Sequence, residues 1–198
     1  MKQLGKEAKF IENKITVDTV LFFDMDGTLI ETNLANFLSY KKAIESVMKL
    51  DYGLTYNPIE RFNRSNLENV VPNLTTGEYE RIIREKEGYY KDFLQQTTLK
   101  TEVVDILLRY SGTNKTILVT NCRKDRAITT LNYFGLTNKF SHIFYREFDE
   151  NEKKINKFQN AILKLGVSPD FIVVFENEEK EIADAIEAGI KIINTVIF

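Results

Sequence analysis

Apolar residues fall along this chain in two rhythms. From Val20 to Phe23 they run without interruption, too continuous for a half-solvated strand, and predict a buried strand of the parallel type. From residue 101 onward, short apolar runs alternate with amphipathic stretches. Val103, Val104, Leu107 and Leu108 form a helical stripe ahead of the strand run Thr116-Ile117-Leu118-Val119. A helix over about 125–134 ends at Gly135, a C-cap position. Residues 143–145 read as a short strand, and the helix carrying Phe158, Ala161, Ile162 and Leu165 stops at Gly166. Residues 171–175 read as another buried strand. Ile182, Ala185 and Ile186 line a helix closed by Gly189, and 190–198 supply the last strand. Repeated strand-helix units of this kind predict an α/β fold whose parallel sheet is covered on both faces.

Residues 33–99 break that rhythm. Leu34, Phe37, Leu38, Ile44, Val47 and Met48 recur at helical spacing. Thr75-Thr76-Gly77-Glu78 has the form of a capping box, opening a helix with Tyr79, Ile82, Ile83, Tyr90, Phe93 and Leu94. No strand-like run interrupts this stretch, which predicts an all-helical insertion. The expected division is a core of residues 1–32 and 100–198 with a helical domain at 33–99. An insert at the C-terminal end of the first strand lies over the usual ligand crevice of an open parallel sheet and is a candidate lid.

Composition narrows the function. The 198 residues are 43% hydrophobic and 28% charged, an ordinary globular balance with enough chain to bury a substantial core. A formal charge of −2 gives no basic field, so neither nucleic acid nor another polyanion is the expected partner. The single cysteine, Cys122, forms no intramolecular disulfide and fits a reducing compartment. His142 is the only histidine, which removes zinc clusters and any Ser-His-Asp triad not built on it. The first fourteen residues are charged and lack the apolar centre of a signal peptide, and no apolar run reaches membrane-spanning length. A cytoplasmic protein with no membrane partner is expected.

Candidate chemistry gathers at strand ends. Asp24 and Asp26 follow the first strand at a spacing of two, which puts both on one side of an extended chain, and Gly27-Thr28 follow at once. Two carboxylates side by side on apolar packing are costly unless a cation or proton divides their charge. Such a pair is also found as plain turn or N-cap residues, but the preceding strand favours a functional site. Thr120-Asn121 ends the next strand run with donors suited to phosphoryl oxygens, although strands also end this way for turn reasons. Cys122 beside them reads as a packed small residue. Lys153, Lys154 and Lys157 can neutralise an anion held near the aspartates; taken singly, each is an ordinary surface lysine. Glu176-Asn177-Glu178-Glu179 closes the 171–175 strand with acids that can complete a hard oxygen site for Mg²⁺ or, more plainly, favour a helix N-terminus.

Together these residues resemble the haloacid dehalogenase (HAD) superfamily of phosphotransferases over about residues 17–195. Asp24-Met25-Asp26-Gly27-Thr28-Leu29 matches the first motif completely, and Thr120-Asn121 looks like the second. For the motif lysine, counting back from Gly166 favours Lys154, with Lys153 and Lys157 as alternatives. The helical insert is similar to the cap of the β-phosphoglucomutase-like branch through Arg64-Ser65-Asn66-Leu67 and Pro72-Asn73-Leu74, with Ser65 where a glycine is usual. The fourth motif departs from pattern, because Glu176-Asn177 stands where an acid followed by aspartate is normal.

The resemblance implies a Rossmann-like parallel-sheet core with the cap inserted after the first strand. It also implies a Mg²⁺-dependent phosphatase acting on a small phosphorylated metabolite. In that scheme Asp24 is the nucleophile that forms an aspartyl phosphate, and Asp26 is the general acid/base, its pKa raised by the neighbouring carboxylate. Thr120, Asn121, Lys154 (or Lys157), Gly27 and Thr28 bind phosphate. Mg²⁺ is held by Asp24, the Asp26 backbone carbonyl, Glu176 and Asn177. Asp26 argues against the metal-free dehalogenases of this fold, and Lys41, Lys42 and Lys49 lack the context of an imine-forming lysine. A sugar-phosphate mutase and a catalytically weak phosphate-binding or regulatory protein are the alternatives. Arg61, Arg64, Tyr56 and Tyr79 fit equally as substrate contacts and as packed or solvated helix residues.

Overall fold

The computed structural model describes residues 13–147 and 155–195. Its strands are β1 (Val20–Phe23), β2 (Ile30–Glu31), β3 (Thr98–Leu99), β4 (Lys115–Val119), β5 (His142–Phe144), β6 (Ile172–Glu176) and β7 (Ile192–Thr195). β5-β4-β1-β6-β7 form one parallel sheet with β1 in the middle, in the register Phe23↔Leu118 on one side and Phe23↔Phe175 on the other. Its central place explains the unbroken apolar run, since both faces are covered. Leu21 and Phe23 pack with Val104 and Leu107 of α4 (Thr101–Tyr110) and with Ala127 and Leu131 of α5 (Lys124–Tyr133). Val20 and Phe22 point the other way, toward Phe158 and Ala161 of α6 (Lys157–Leu165) and Ala185 of α7 (Glu179–Glu187). The stacked rings of Phe23 and Phe175, 4.6 Å between centroids, tie the ends of β1 and β6 together.

The predicted rhythm of strands and helices is present, with local shifts. β6 begins one residue later than expected because Phe171 belongs to a 3₁₀ turn and is half exposed. Leu108 and Ile186 face outward, since each follows the residue, Leu107 or Ala185, that takes the inward position. On α7 the buried partner near the site is an acid, Glu181. Residues 196–198 of the expected last strand lie outside the described residues. No helix among the described residues is long and apolar enough to cross a membrane.

Between β2 and β3 the chain forms α1 (Asn33–Met48), α2 (Arg64–Val70), α3 (Thr76–Tyr89) and a 3₁₀ helix, Tyr90–Gln96. These helices share a separate core of Tyr40, Ala43, Ile44, Leu67, Val71 and Ile82. The capping box that opens α3 is formed, with the Thr75 N–H donating to Glu78 at 2.9 Å and the Glu78 N–H donating to Thr75 Oγ1 at 3.3 Å. The expectation of a stretch without strands is corrected at its edge. β2 and β3 pair antiparallel (Ile30↔Leu99, Glu31↔Thr98) where the chain enters and leaves the insert. Two residues per strand are too few to show a period in sequence. The insert rises from the C-terminal end of β1, so it stands over the ends of β1, β4 and β6.

Candidate active site

β1 delivers Asp24 to the middle of the sheet edge, where its N–H donates to the Phe175 carbonyl at 3.1 Å. The chain then turns tightly: the Ile30 N–H donates to the Met25 carbonyl at 3.0 Å and the Gly27 N–H to the Ile30 carbonyl at 2.8 Å. Gly27 has φ +85°, and a Cβ there would meet Asn177 Nδ2 at 2.7 Å, so the position requires glycine. Asp24 and Asp26 are both nearly buried, 6% exposed each. Thr28 is buried, and its hydroxyl donates to Asn177 Oδ1 at 2.9 Å and pins that side chain against the turn.

Lys157, the first residue of α6, is buried and donates to Asp24 Oδ1 at 2.8 Å and to Glu176 Oε2 at 2.7 Å. Asn156 caps this helix by accepting from the Phe158 and Gln159 N–H groups, which fixes where the lysine emerges. Lys153 and Lys154 lie outside the described residues. Glu176 is fully buried, and its other oxygen, Oε1, accepts from the Asn177 and Glu178 N–H groups. One of its oxygens thus holds the lysine and the other the turn at 177–178. Thr120 is buried at the end of β4 and its Oγ1 accepts from the Cys122 N–H at 3.1 Å. The Asn121 amide, expected to donate to phosphate, gives Nδ2 to Glu181 at 2.6 Å, and Glu181 in turn lies 3.5 Å from Lys157.

The two aspartates titrate in opposite directions. Burial pushes the Asp24 carboxyl up to about 8; Glu176 adds to this, and Lys157 opposes it. Burial also pushes Asp26 upward, but the charges of Arg126 and Arg61 and the Thr32 hydroxyl, 2.7 Å from Oδ1, outweigh it and hold the carboxyl at about 2. The expected raised pKa of Asp26 is thus corrected, because two guanidiniums are nearer to it than any carboxylate influence can offset. Arg126 Nη2 donates to Asp26 Oδ2, and its Nε donates to Cys122 Sγ at 2.8 Å. Cys122 is buried and its thiol is pushed up to about 12, which removes it as a nucleophile.

These groups open into a cavity of about 530 Å³ between core and insert. The insert contributes Arg61, Arg64 and Lys86; the core contributes Arg123, Arg126 and Arg146. Tyr56 and Tyr79 are not among the lining residues. Tyr56 packs on Phe37, with ring centroids 5.5 Å apart, and Tyr79 packs on the insert's own core. Sequence reasoning missed Arg126 and Lys86, although each left a signal. Arg123, Lys124 and Arg126 put positive charge at the start of a helix, against its dipole. Lys86 falls on the apolar stripe of α3, four residues after Ile82, and is buried beside the Tyr40 ring.

The site suits Mg²⁺ in donor chemistry. The Asp24 carboxylate, the Asp26 carbonyl and Asn177 Oδ1 are hard oxygens of the kind Mg²⁺ takes from a protein while substrate and water fill the remaining positions. Glu178 is a further acid at the edge of the site, paired with Arg61.

Solved structures share this architecture. CbbY from Rhodobacter sphaeroides, solved in complex with phosphate, is 16% identical, with 90% of this chain and 86% of that chain covered and a TM-score of 0.71. A predicted phosphoglycolate phosphatase from Haemophilus somnus is 20% identical, covering 90% of this chain and 85% of its own, with a TM-score of 0.70. A haloacid dehalogenase-like family protein from Streptococcus pneumoniae is 17% identical, covering 89% of this chain and 84% of its own, with a TM-score of 0.66. No protein of curated function matches the chain. The sequence profile of the haloacid dehalogenase-like hydrolases matches residues 21–195. With that match over nearly its whole length, and with a paired-aspartate turn at the tip of the central strand, the chain belongs to the haloacid dehalogenase-like hydrolase family.

Proposed function

We propose that this hydrolase is a Mg²⁺-dependent phosphatase that cleaves a small phosphomonoester through an aspartyl phosphate on Asp24. The observation that carries the reading is the Asp24–Lys157 pair at the tip of β1, facing a cavity rimmed by arginines that suits an anionic substrate. CbbY, which shares the fold, was solved in complex with phosphate, in line with a phosphorylated substrate.

In the proposed reaction an Asp24 oxygen attacks phosphorus and the bond to the leaving oxygen breaks. Water then attacks the aspartyl phosphate, releasing inorganic phosphate and free Asp24. Mg²⁺, when bound, supplies charge that lets the dianionic phosphoryl group approach a carboxylate. Lys157 orients Asp24, and the Thr120 hydroxyl is placed to donate to a phosphoryl oxygen. Asp26 is ionised in its arginine clasp and so is set to take the proton of the attacking water. To protonate the leaving oxygen it must first take up a proton from solvent, which it does as the phosphoryl group draws its arginines away.

The test is Mg²⁺-dependent phosphate release from p-nitrophenyl phosphate, with Asp24→Asn as control, followed by a panel of phosphorylated metabolites. Release that depends on both metal and Asp24 supports the reading. Isomerised sugar phosphate with little free phosphate would assign a mutase. Phosphate binding with background turnover would leave a binding protein, the reading that Asn177 favours.

A further inference from the structure

Arg61 belongs to the segment between α1 and α2 of the insert, yet its guanidinium enters the acidic crevice of the core. It pairs with Glu178 Oε1 and lies 3.4 Å from Asp26 Oδ2, with its side chain 31% exposed. Those two carboxylates flank the oxygens that suit Mg²⁺: the Asp26 carbonyl belongs to the same residue, and Asn177 directly precedes Glu178. A guanidinium and a divalent cation there repel each other, and both draw on the same negative charge. Asn177 sharpens the contest, since an amide brings the metal no charge of its own.

The two arginines on Asp26 are not equivalent. Arg126 is fastened on three sides, by Asp26, by Cys122 Sγ at 2.8 Å and by the Tyr90 ring at 4.9 Å, and is only 10% exposed. When Arg61 withdraws, Asp26 keeps Arg126, and the chief loss falls on Glu178, whose side chain is 42% exposed and can be resolvated. Arg61 is therefore the detachable cation and Arg126 the fixed one.

We infer that Arg61 is an internal counter-cation which the insert lends to the core, and that Mg²⁺ binding and Arg61 docking are antagonistic. Loading the metal favours the undocked insert, and docking of the insert weakens the metal. This rests on the Mg²⁺ reading above. It makes the insert a regulator of metal affinity as well as a cover.

The test is direct Mg²⁺ titration by calorimetry on the wild type, R61A, R61K and N177D, with small-angle scattering of the wild type and R61A with and without Mg²⁺. R61A is expected to bind Mg²⁺ about fivefold or more tightly than the wild type, the lower end of typical site-to-site coupling. R61K, which keeps the charge, should stay near the wild type. Mg²⁺ should expand the wild type and leave R61A unchanged. If R61A does not fold, R61Q serves the same comparison. Equal or weaker Mg²⁺ affinity in folded R61A or R61Q, with the wild type binding the metal, overturns this inference alone. Absence of Mg²⁺ binding in every variant, N177D included, overturns the metal reading with it.

Discussion

Lys157 and Asp24 stand 133 positions apart in the chain and 2.8 Å apart in space. Neither group is stable in that place alone. The lysine is buried because Asp24, Glu176 and Glu181 surround it, and the carboxylates are tolerated together because the lysine lies among them. Removing one partner from such a buried set costs about 3–5 kcal/mol. Lys157→Met should therefore lower the melting temperature sharply and reduce phosphate release about a hundredfold or more. Lys154→Met should stay within about twofold of the wild type, since the lysine held on Asp24 is kept. Thermal melts and turnover on the two variants decide which lysine serves the motif.

Asp24 gives the stability a pH dependence. Its carboxyl is raised from the usual 3.8 to about 8 by burial and by Glu176, so the folded state holds this proton more tightly than the unfolded chain does. The stabilisation is fully present below pH 3.8 and is lost as pH rises through 8. In magnesium-free buffer the melting temperature should fall across that window. Asp24→Asn should flatten the fall, by roughly 2–4 °C for each kcal/mol removed. Asp26, held at about 2, acts in the opposite sense. Its contribution is present above pH 3.8 and is lost only as pH drops through 2.

Thr32 supports Asp26 through a buried hydrogen bond of 2.7 Å. Thr32→Val keeps the shape and deletes the donor, leaving a buried carboxylate with arginine partners alone. The expected cost is about 1.5–3 kcal/mol, the range for hydrogen bonds to charged groups. Denaturant titration measures it. An unchanged midpoint would mean that the arginines suffice without the hydroxyl.

At Gly27 the backbone has φ +85° and an added Cβ would touch Asn177. Gly27→Ala should cost about 1–2 kcal/mol in backbone strain. It should also push the Asn177 amide off Thr28, weakening Mg²⁺ binding in a calorimetric titration. The second effect separates this substitution from a merely strained turn.

The sequence was most legible where one residue's neighbours in space are also its neighbours in the chain. The continuous run of β1 and the i, i+2 aspartates marked the crevice, because strand geometry alone puts them together. The lysine was harder. Lys157 precedes the core residue Phe158, and nothing local tells that one enters the sheet packing while the other is drawn to acids at positions 24, 176 and 181. The opposite pKa shifts of Asp24 and Asp26 were unreadable for the same reason, since Arg61 and Arg126 arrive from distant elements. Ribbon β2–β3 escaped notice because its pairing spans the whole insert.

The order β5-β4-β1-β6-β7 carries a cost during synthesis. β1 leaves the ribosome early, but both strands that pair with it, β4 and β6, follow only after the insert has emerged. The helical insert, with its own core at residues 40–82, can therefore condense while Val20–Phe23 still waits with two open edges. A nascent chain of this design needs that four-residue strand shielded until position 176 has been translated. Mutations that delay translation between the insert and β6 should raise aggregation without altering the finished molecule.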